Sequence, residues 1–254
     1  MTSTGHPRAS DAPTSIWDYP EHGSRGPRPR HDRAAIAALA VLIADAEGLE
    51  AVTMRRLAGE LGIAVMSLYN YVPAKDQLAQ LMTNQLAAEY AYPGVPAPDP
   101  RAAIADLARQ ARDIAQRHPW LAALPQLPMP PGPNELRYLD YFLCLLADSR
   151  LGTEAKLEVI AMLTGFATMY GAMQRAPASA AEQAAAQVQA LARAAAKGRY
   201  PNLTAALAAT GRPRRRDDIF GSCIERLIDL ARLRLRQPRR ARRSERSAPT
   251  AVSG

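Results

Sequence analysis

Phenylalanine, tryptophan, cysteine, histidine and lysine are all scarce in this chain. It has three Phe, two Trp, two Cys and four His in 254 residues. So few thiols and imidazoles leave little material for a metal centre, and neither Cys144 nor Cys223 has metal-ligand spacing around it. Both lie in apolar helical contexts and are expected to be buried, reduced thiols. No apolar run near 18 residues lacks polar breaks, so no membrane-spanning helix and no membrane partner are expected. The first residues lack the apolar core of a signal peptide, and the expected location is the cytoplasm. There is no Gly-rich phosphate loop, no nucleophile elbow and no cluster of His, Cys and carboxylates at ligand spacing. The reading is therefore not an enzyme, with no metal and no cofactor. Alternating β-branched runs are missing as well, while Ala and Leu dominate, which points to an all-α chain. The length suits a small helical unit plus one larger domain.

Charge is unevenly placed. From Arg212 to the end there are thirteen arginines against five carboxylates, a net +8 that equals the excess of the whole chain. The segment Ala34–Tyr90 is net acidic. Nucleic-acid binding there has to rest on where single residues stand, because bulk basicity is absent.

One stretch in that segment is informative. TMRRLAGELGIAVMSLYNYVPAK, Thr53 to Lys75, reads as two short helices joined by a tight turn. Thr53 is a good N-cap. Leu57, Ala58 and Leu61 recur at helical spacing, and Gly62 suits the left-handed residue that ends a helix. A second helix is expected from near Ala64 to Tyr71, with Leu68 and Val72 facing inward beside Ile63. That leaves Met66, Ser67, Asn70 and Tyr71 pointing away, with Tyr69 at the boundary. Hydroxyls, an amide and a thioether can pair with base edges or touch a thymine methyl, whereas an idle surface helix more often carries Glu, Lys or Arg. Arg55, Arg56 and Lys75 flank the pair and are candidates for phosphate contact. A helical hairpin with a polar outer face is the bland alternative.

With the Gly-Leu before Thr53, Leu57–Ala58, Leu61–Gly62–Ile63, Ser67–Leu68–Tyr69 and the Lys75…Leu78 spacing, the segment from Gly48 to Leu78 resembles the DNA-binding part of the TetR family of bacterial transcriptional regulators. The resemblance implies backbone contacts at Thr53, Tyr69, Tyr71 and Lys75, and base contacts at Arg55, Met66, Ser67 and Asn70. It also implies the architecture: an N-terminal three-helix helix-turn-helix domain, joined by a connecting helix to a larger helical-bundle regulatory domain. The expected segments are a disordered arm over 1–30, the DNA-binding domain with its connecting helix over 31–91, a ligand-binding and dimerisation domain over 99–237, and a disordered basic tail over 238–254.

Taken in order, GSRGPRPR carries Arg25, Arg28 and Arg30 and is either a minor-groove arm or a solvated tail. Asp32 caps a helix from Arg33 to Glu47 with Ile36, Leu39, Ala40 and Ile43 inward. A connecting helix is expected over 74–91, with Leu78, Leu81, Met82, Gln85 and Leu86 inward. After the Pro-rich break at 93–100, Asp99 caps a helix whose stripe is Ile104, Leu107, Ala108, Ala111 and Ile114. HPWLAALPQLPMPPGP is too apolar for a free linker; it is either a lid on the core or one wall of a ligand cavity. Asn134 is the expected cap of a helix ending near Ser149. Thr153–Arg175 is apolar on nearly every face and needs cover on several sides. Gly165 and Gly171 offer close approach to a neighbour.

Trp120, Leu124, Tyr138, Phe142, Met162, Phe166, Met169 and Tyr170 form the candidate ligand-binding set, with plain core packing as the alternative reading. IFGSCIERLIDLARLRL resembles the last helix of the TetR-type regulatory domain, which implies dimer contacts at Phe220, Ile224, Leu227, Ile228 and Ala231. The implied function is a homodimer on a double-stranded, palindromic operator, usually a repressor released by a ligand. Leu121–Pro131 has no histidine of the kind that chelates magnesium-tetracycline in other members, and His118 reads as a helix-end residue. The apolar lining suggests a hydrophobic or aromatic effector. The competing reading is a constitutive DNA-binding dimer without a working pocket.

Overall fold

Asp32 opens the first helix, α1 (Arg33–Glu47), by accepting the Ala35 N–H over 2.7 Å, and Gly48 closes it. The computed structural model describes residues 15–18, 31–93, 97–124, 130–174, 178–209 and 216–231, and among them the regular elements are all helical. The Thr53 hydroxyl accepts the Arg56 N–H at 3.1 Å and starts α2 (Met54–Leu61). Gly62 then adopts φ 66°, ψ 32°, which a side chain would disfavour. The Ile63 N–H reaches back to the Ala58 carbonyl and turns the chain into α3 (Val65–Tyr69). This helix ends two residues earlier than its sequence pattern predicts. Pro73 disfavours helical geometry at Val72, and the last turn tightens through Asn70 N–H to Ser67 and Tyr71 N–H to Leu68.

α4 (Lys75–Ala87) also stops early, where Ala88 and Glu89 donate to Gln85 and Leu86. Its buried face includes Leu78, Leu81, Met82 and Leu86 as expected; Gln85 is only half-buried, and Gln77 and Gln80 are buried instead. Next comes α5 (Pro100–Arg117), capped by Asp99, which accepts from Arg101 and Ala102. There follow α6 (Pro133–Leu145), α7 (Thr153–Gln174), α8 (Ala178–Ala196), α9 (Pro201–Ala208) and α10 (Arg216–Leu230). α6 is capped at Gly132, not Asn134, and Asn134 is engaged elsewhere: its N–H donates to Asn84 Oδ1 at 2.8 Å and its side-chain amide to the Asn84 carbonyl at 3.0 Å. These two bonds stitch α6 to α4.

Two apolar cores result. The first joins α1 to α4 around Ile36, Leu57, Leu68, Val72 and Leu78; burying each such side chain contributes about 1.5–3 kcal/mol. The second joins α5, α6, α7 and α10 around Ile104, Leu107, Phe142, Leu163 and Ile224. Ile114, Trp120 and Leu124 lie beyond the Pro-rich break yet belong to the first core, so the two units share packing across their junction. α5 and α7 approach closely at Gly171, where a Cβ would run into the Arg112 carbonyl. Gly165 makes no such contact. α10 is tied to α5 by Arg101, which meets Glu225 at 2.7 Å and Asp229 at 2.8 Å.

Two expectations need correction. The arm over 1–30 is not wholly free: Ile16–Asp18 forms a short 3-10 turn with Ile16 fully buried in the first core. An isoleucine in a polar tail has an apolar side chain to bury, and here it does so. Arg25, Arg28, Arg30 and the 238–254 tail lie outside the described residues. Cys144 is exposed, because α6 turns Tyr138, Tyr141, Phe142 and Leu145 inward and leaves position 144 on the outside.

Candidate nucleic-acid interface and ligand cavity

α2 and α3 are fixed by their inward residues, and their outward residues form the candidate reading surface. Leu68 and Val72 are fully buried. Met66 is 76% exposed, Tyr69 and Asn70 are exposed, and Ser67 is half-buried. Thr53, Arg55 and Lys75 are exposed as well. Neither Arg55 nor Lys75 has an ion-pair partner among the described residues, so each is free for an incoming anion. Two residues sit differently from the sequence reading. Tyr71 is half-buried against the first core, and its carbonyl accepts from Arg33 Nε at 3.0 Å. Arg56 is held by Glu47 at 2.9 Å and by Glu60 at 3.0 Å, so its guanidinium is already engaged by carboxylates.

Arg33 is a feature that sequence pattern missed. It is only 4% exposed and bridges two stretches of backbone, with Nε on the Tyr71 carbonyl and Nη1 donating to the Ile16 carbonyl at 2.9 Å. The Ile16 N–H in turn faces Gln80 Oε1 on α4 at 3.4 Å. Trp17 lies against Gly132, where a Cβ would collide with its ring and with Asn84. The 3-10 turn at Ile16 thus touches α1, α4 and the start of α6 together.

A second polar group joins the units at their junction. His118, the helix-end residue after α5, is buried between two carboxylates: Asp45 of α1 lies 2.7 Å from Nδ1 and Glu89 lies 2.9 Å from Nε2. Trp120 donates its indole N–H to the same Asp45 oxygen at 2.7 Å, and Arg117 pairs with Glu89. No group of three or more His, Cys, Asp or Glu suited to a metal ion occurs among the described residues.

Beyond this junction lies a cavity of about 1150 Å³. α7 shows one face to it, in the repeat Ala161, Thr164–Gly165, Thr168–Met169, Ala172–Met173. α4 contributes Thr83, Leu86 and Ala87; α6 contributes Glu135, Tyr138 and Leu139. Tyr90 and Tyr138 stack in a tilted pair with ring centroids 4.5 Å apart. The Tyr138 hydroxyl shares a hydrogen bond with Thr164 at 2.6 Å. Burial pushes the Tyr138 hydroxyl up to about 12, partly offset by Thr164, and burial raises Tyr90 well above the ordinary value. Both therefore stay neutral. Burial likewise raises the Glu135 carboxyl above its usual range, against the opposing pull of the Gly132 N–H and the Thr83 hydroxyl.

Of the candidate ligand set, Leu124, Tyr138 and Met169 line this cavity. The other five do not, for reasons of helix face. Trp120 is committed to the first core and Phe142 to the second. Phe166 and Tyr170 turn toward α10, where their rings pack on Phe220, and the Arg112 guanidinium sits 4.8 Å from that same ring. Met162 points outward. The lining threonines, Glu135 and Gly165 carried no apolar signal and were invisible to a search for aromatic and Met stripes.

The candidate dimer set divides by burial within the chain. Phe220, Ile224 and Ile228 are fully buried within the chain itself, and Leu227 and Ala231 are half-buried against the same core. The exposed apolar residues of α10 are Ile219 and Leu230, and those of α7 include Met162, Met169 and Met173. Sequence pattern alone does not say whether such a broad stripe covers its own chain's core or a partner's.

A family model described as "Tetracyclin repressor-like, C-terminal domain" matches residues 93–230. Over 223 residues the chain is 34% identical to the HTH-type transcriptional repressor DrrR1 of Streptomyces coeruleorubidus, covering 84% of this chain and 82% of that protein. Its fold is similar to that of the Streptomyces coelicolor TetR family protein ActR in complex with actinorhodin, with a TM-score of 0.67 and 27% identity over 80% of this chain and 95% of that one. ActR in complex with (S)-DNPA gives a TM-score of 0.65, also at 27% identity, over 78% of this chain and 96% of that one.

Proposed function

The chain belongs to the TetR family of transcriptional regulators, and on that premise we propose that it is a repressor that binds a palindromic operator as a homodimer and is released by a small hydrophobic or aromatic effector. The observation that carries this reading is the position of α4. Thr83, Leu86 and Ala87 of that helix line the cavity, while Leu78 near its other end lies in the same core as Leu68 of α3. A ligand in the cavity presses on the same rigid element that seats the reading head. It shifts DNA occupancy only by as much as its affinity differs between the bound and released arrangements.

Thr53, Tyr69, Tyr71 and Lys75 hold the backbone in this reading, Tyr71 less freely than the rest because it is half-buried. Arg55, Met66, Ser67 and Asn70 face base edges. A five-residue helix reads few base pairs, so site selection requires two copies, and the palindrome follows from their symmetry. The partner meets the exposed Met162 of α7 together with Ile219 and Leu230 of α10. The effector class follows from the mostly apolar lining, and ActR, seen with actinorhodin, supports an aromatic one.

The test is release of a selected operator duplex by a panel of aromatic compounds, with Gly165→Leu as the control. Gly165 lines the cavity and a Cβ there meets nothing within 4 Å, so the larger side chain fills the space without touching α3. Release from the wild type and none from the variant, at equal DNA affinity, is the expected result. Release absent in both favours a constitutive binder without a working pocket, and release equal in both moves the effector out of this cavity.

A further inference from the structure

The cavity lining holds one charged side chain among the described residues. Glu135 is that residue, and no Lys, Arg or His accompanies it there. Around it stand Leu86, Leu139, the Tyr90 and Tyr138 rings and threonine hydroxyls. Resting on the effector reading above, we infer that the cavity's ligand is an aromatic compound bearing an amine or other cationic group, and that the Glu135 carboxylate recognises that charge.

Three observations lead there. First, the carboxylate is held in place: its Oε2 accepts the Gly132 N–H at 2.7 Å. A carboxylate has about four acceptor directions, so this bond and the one from the Thr83 hydroxyl leave capacity for a ligand N–H. Second, an ionised carboxylate in an apolar cavity without a counter-cation is costly, and an arriving ammonium relieves the cost that a neutral or anionic ligand leaves in place or worsens. Arg137, on the same helix, is exposed and not part of the lining. Third, the neutral Tyr90–Tyr138 pair offers two ring faces, and the negative face of an aromatic ring attracts a cation as well as stacking on a flat ligand. Glutamate's other role, accepting the N–H at the start of α6, needs an acceptor but no charge. Glutamine would serve it equally, and this separates the structural part from the recognition part.

The experiment is a fluorescence titration of the full-length protein, without DNA, using two flat tricyclic dyes: proflavine, a cation at neutral pH, and acridone, which is neutral. The wild type is expected to bind proflavine at least tenfold more tightly than acridone. Glu135→Gln is expected to lose at least tenfold toward proflavine and less than threefold toward acridone. Leu139→Lys, one helical turn along the same lining face, neutralises the carboxylate in place and is expected to remove the preference too. Should Glu135→Gln fold poorly, the wild-type comparison and Leu139→Lys still decide the matter. Equal wild-type affinities, or a preference that survives both substitutions, overturn the assignment to Glu135 while leaving the effector cavity standing. No binding of either dye to the wild type overturns both.

Discussion

Arg33 donates from Nε to the carbonyl of Tyr71 at 3.0 Å, fastening the end of the short reading helix to the first turn of α1. The same guanidinium holds Ile16 through its carbonyl, so the N-terminal turn, α1 and α3 are joined by one side chain. Arg33→Met keeps the stem and removes both donors. With one buried and one part-buried carbonyl left short, the loss is about 1–3 kcal/mol for each that water does not reach. Ile16→Ala removes a fully buried side chain and costs about 2–4 kcal/mol. Denaturant unfolding of the full chain measures both. Unaltered midpoints would show that this N-terminal turn contributes nothing to the head.

On DNA, Asn70→Ala and Lys75→Ala separate two kinds of contact. The first is expected to relax preference at one operator position by about 1–3 kcal/mol, and the second to weaken all sequences alike and lower the salt slope by about 1. Binding to an operator and its single-base variants across a salt series checks both. Equal losses on every sequence from the two changes would count against the contact assignments.

Self-association should respond to the outer face of α7 and not to the inner face of α10. Met162→Asp places a charge on an exposed apolar surface and is expected to halve the solution mass with little loss of helix. Ile224→Asp buries an unpaired carboxylate in the chain's own core and is expected to unfold the regulatory bundle. Light scattering and circular dichroism distinguish them. A folded monomer from Ile224→Asp would reverse this assignment.

Acidity gives a further expected outcome. Burial holds the Glu135 carboxyl above its ordinary value of 4.5 in the folded chain. Between that value and the raised one, the unfolded chain has lost a proton that the folded chain retains. Stability from this group is therefore present below the lower value and falls as pH rises through the upper one. Glu135→Gln lacks this loss, so its stability relative to the wild type grows as pH is raised through the window. A difference that stays constant with pH would show that Glu135 titrates as it does in water.

Local signals decided what could be read in the sequence. Asp32, Thr53, Gly62 and Asp99 act through atoms within a few residues of themselves, and each caps or ends a helix as its position suggested. The stripe from Ile104 to Ile114 is buried as its spacing required. What escaped were relationships made across the chain. Asn134 looked like a cap but bonds Asn84, fifty positions away. α7 is apolar on so many faces that periodicity did not say which one faces the cavity, and it resolved only when α5 took Gly171 and α10 took Phe166 and Tyr170. Ile16 and Arg33 sit where composition suggested a free tail and a helix start, yet they meet inside the first core.

Selection of bound duplexes from a random pool by the full-length protein, at near-physiological salt, tests the central claim most directly. A palindromic consensus with two half-sites about one helical turn or more apart is the predicted result, as two copies of α3 require. Recovery of no enriched sequence, with binding that only tracks salt, would contradict it and leave the chain a general polyanion binder.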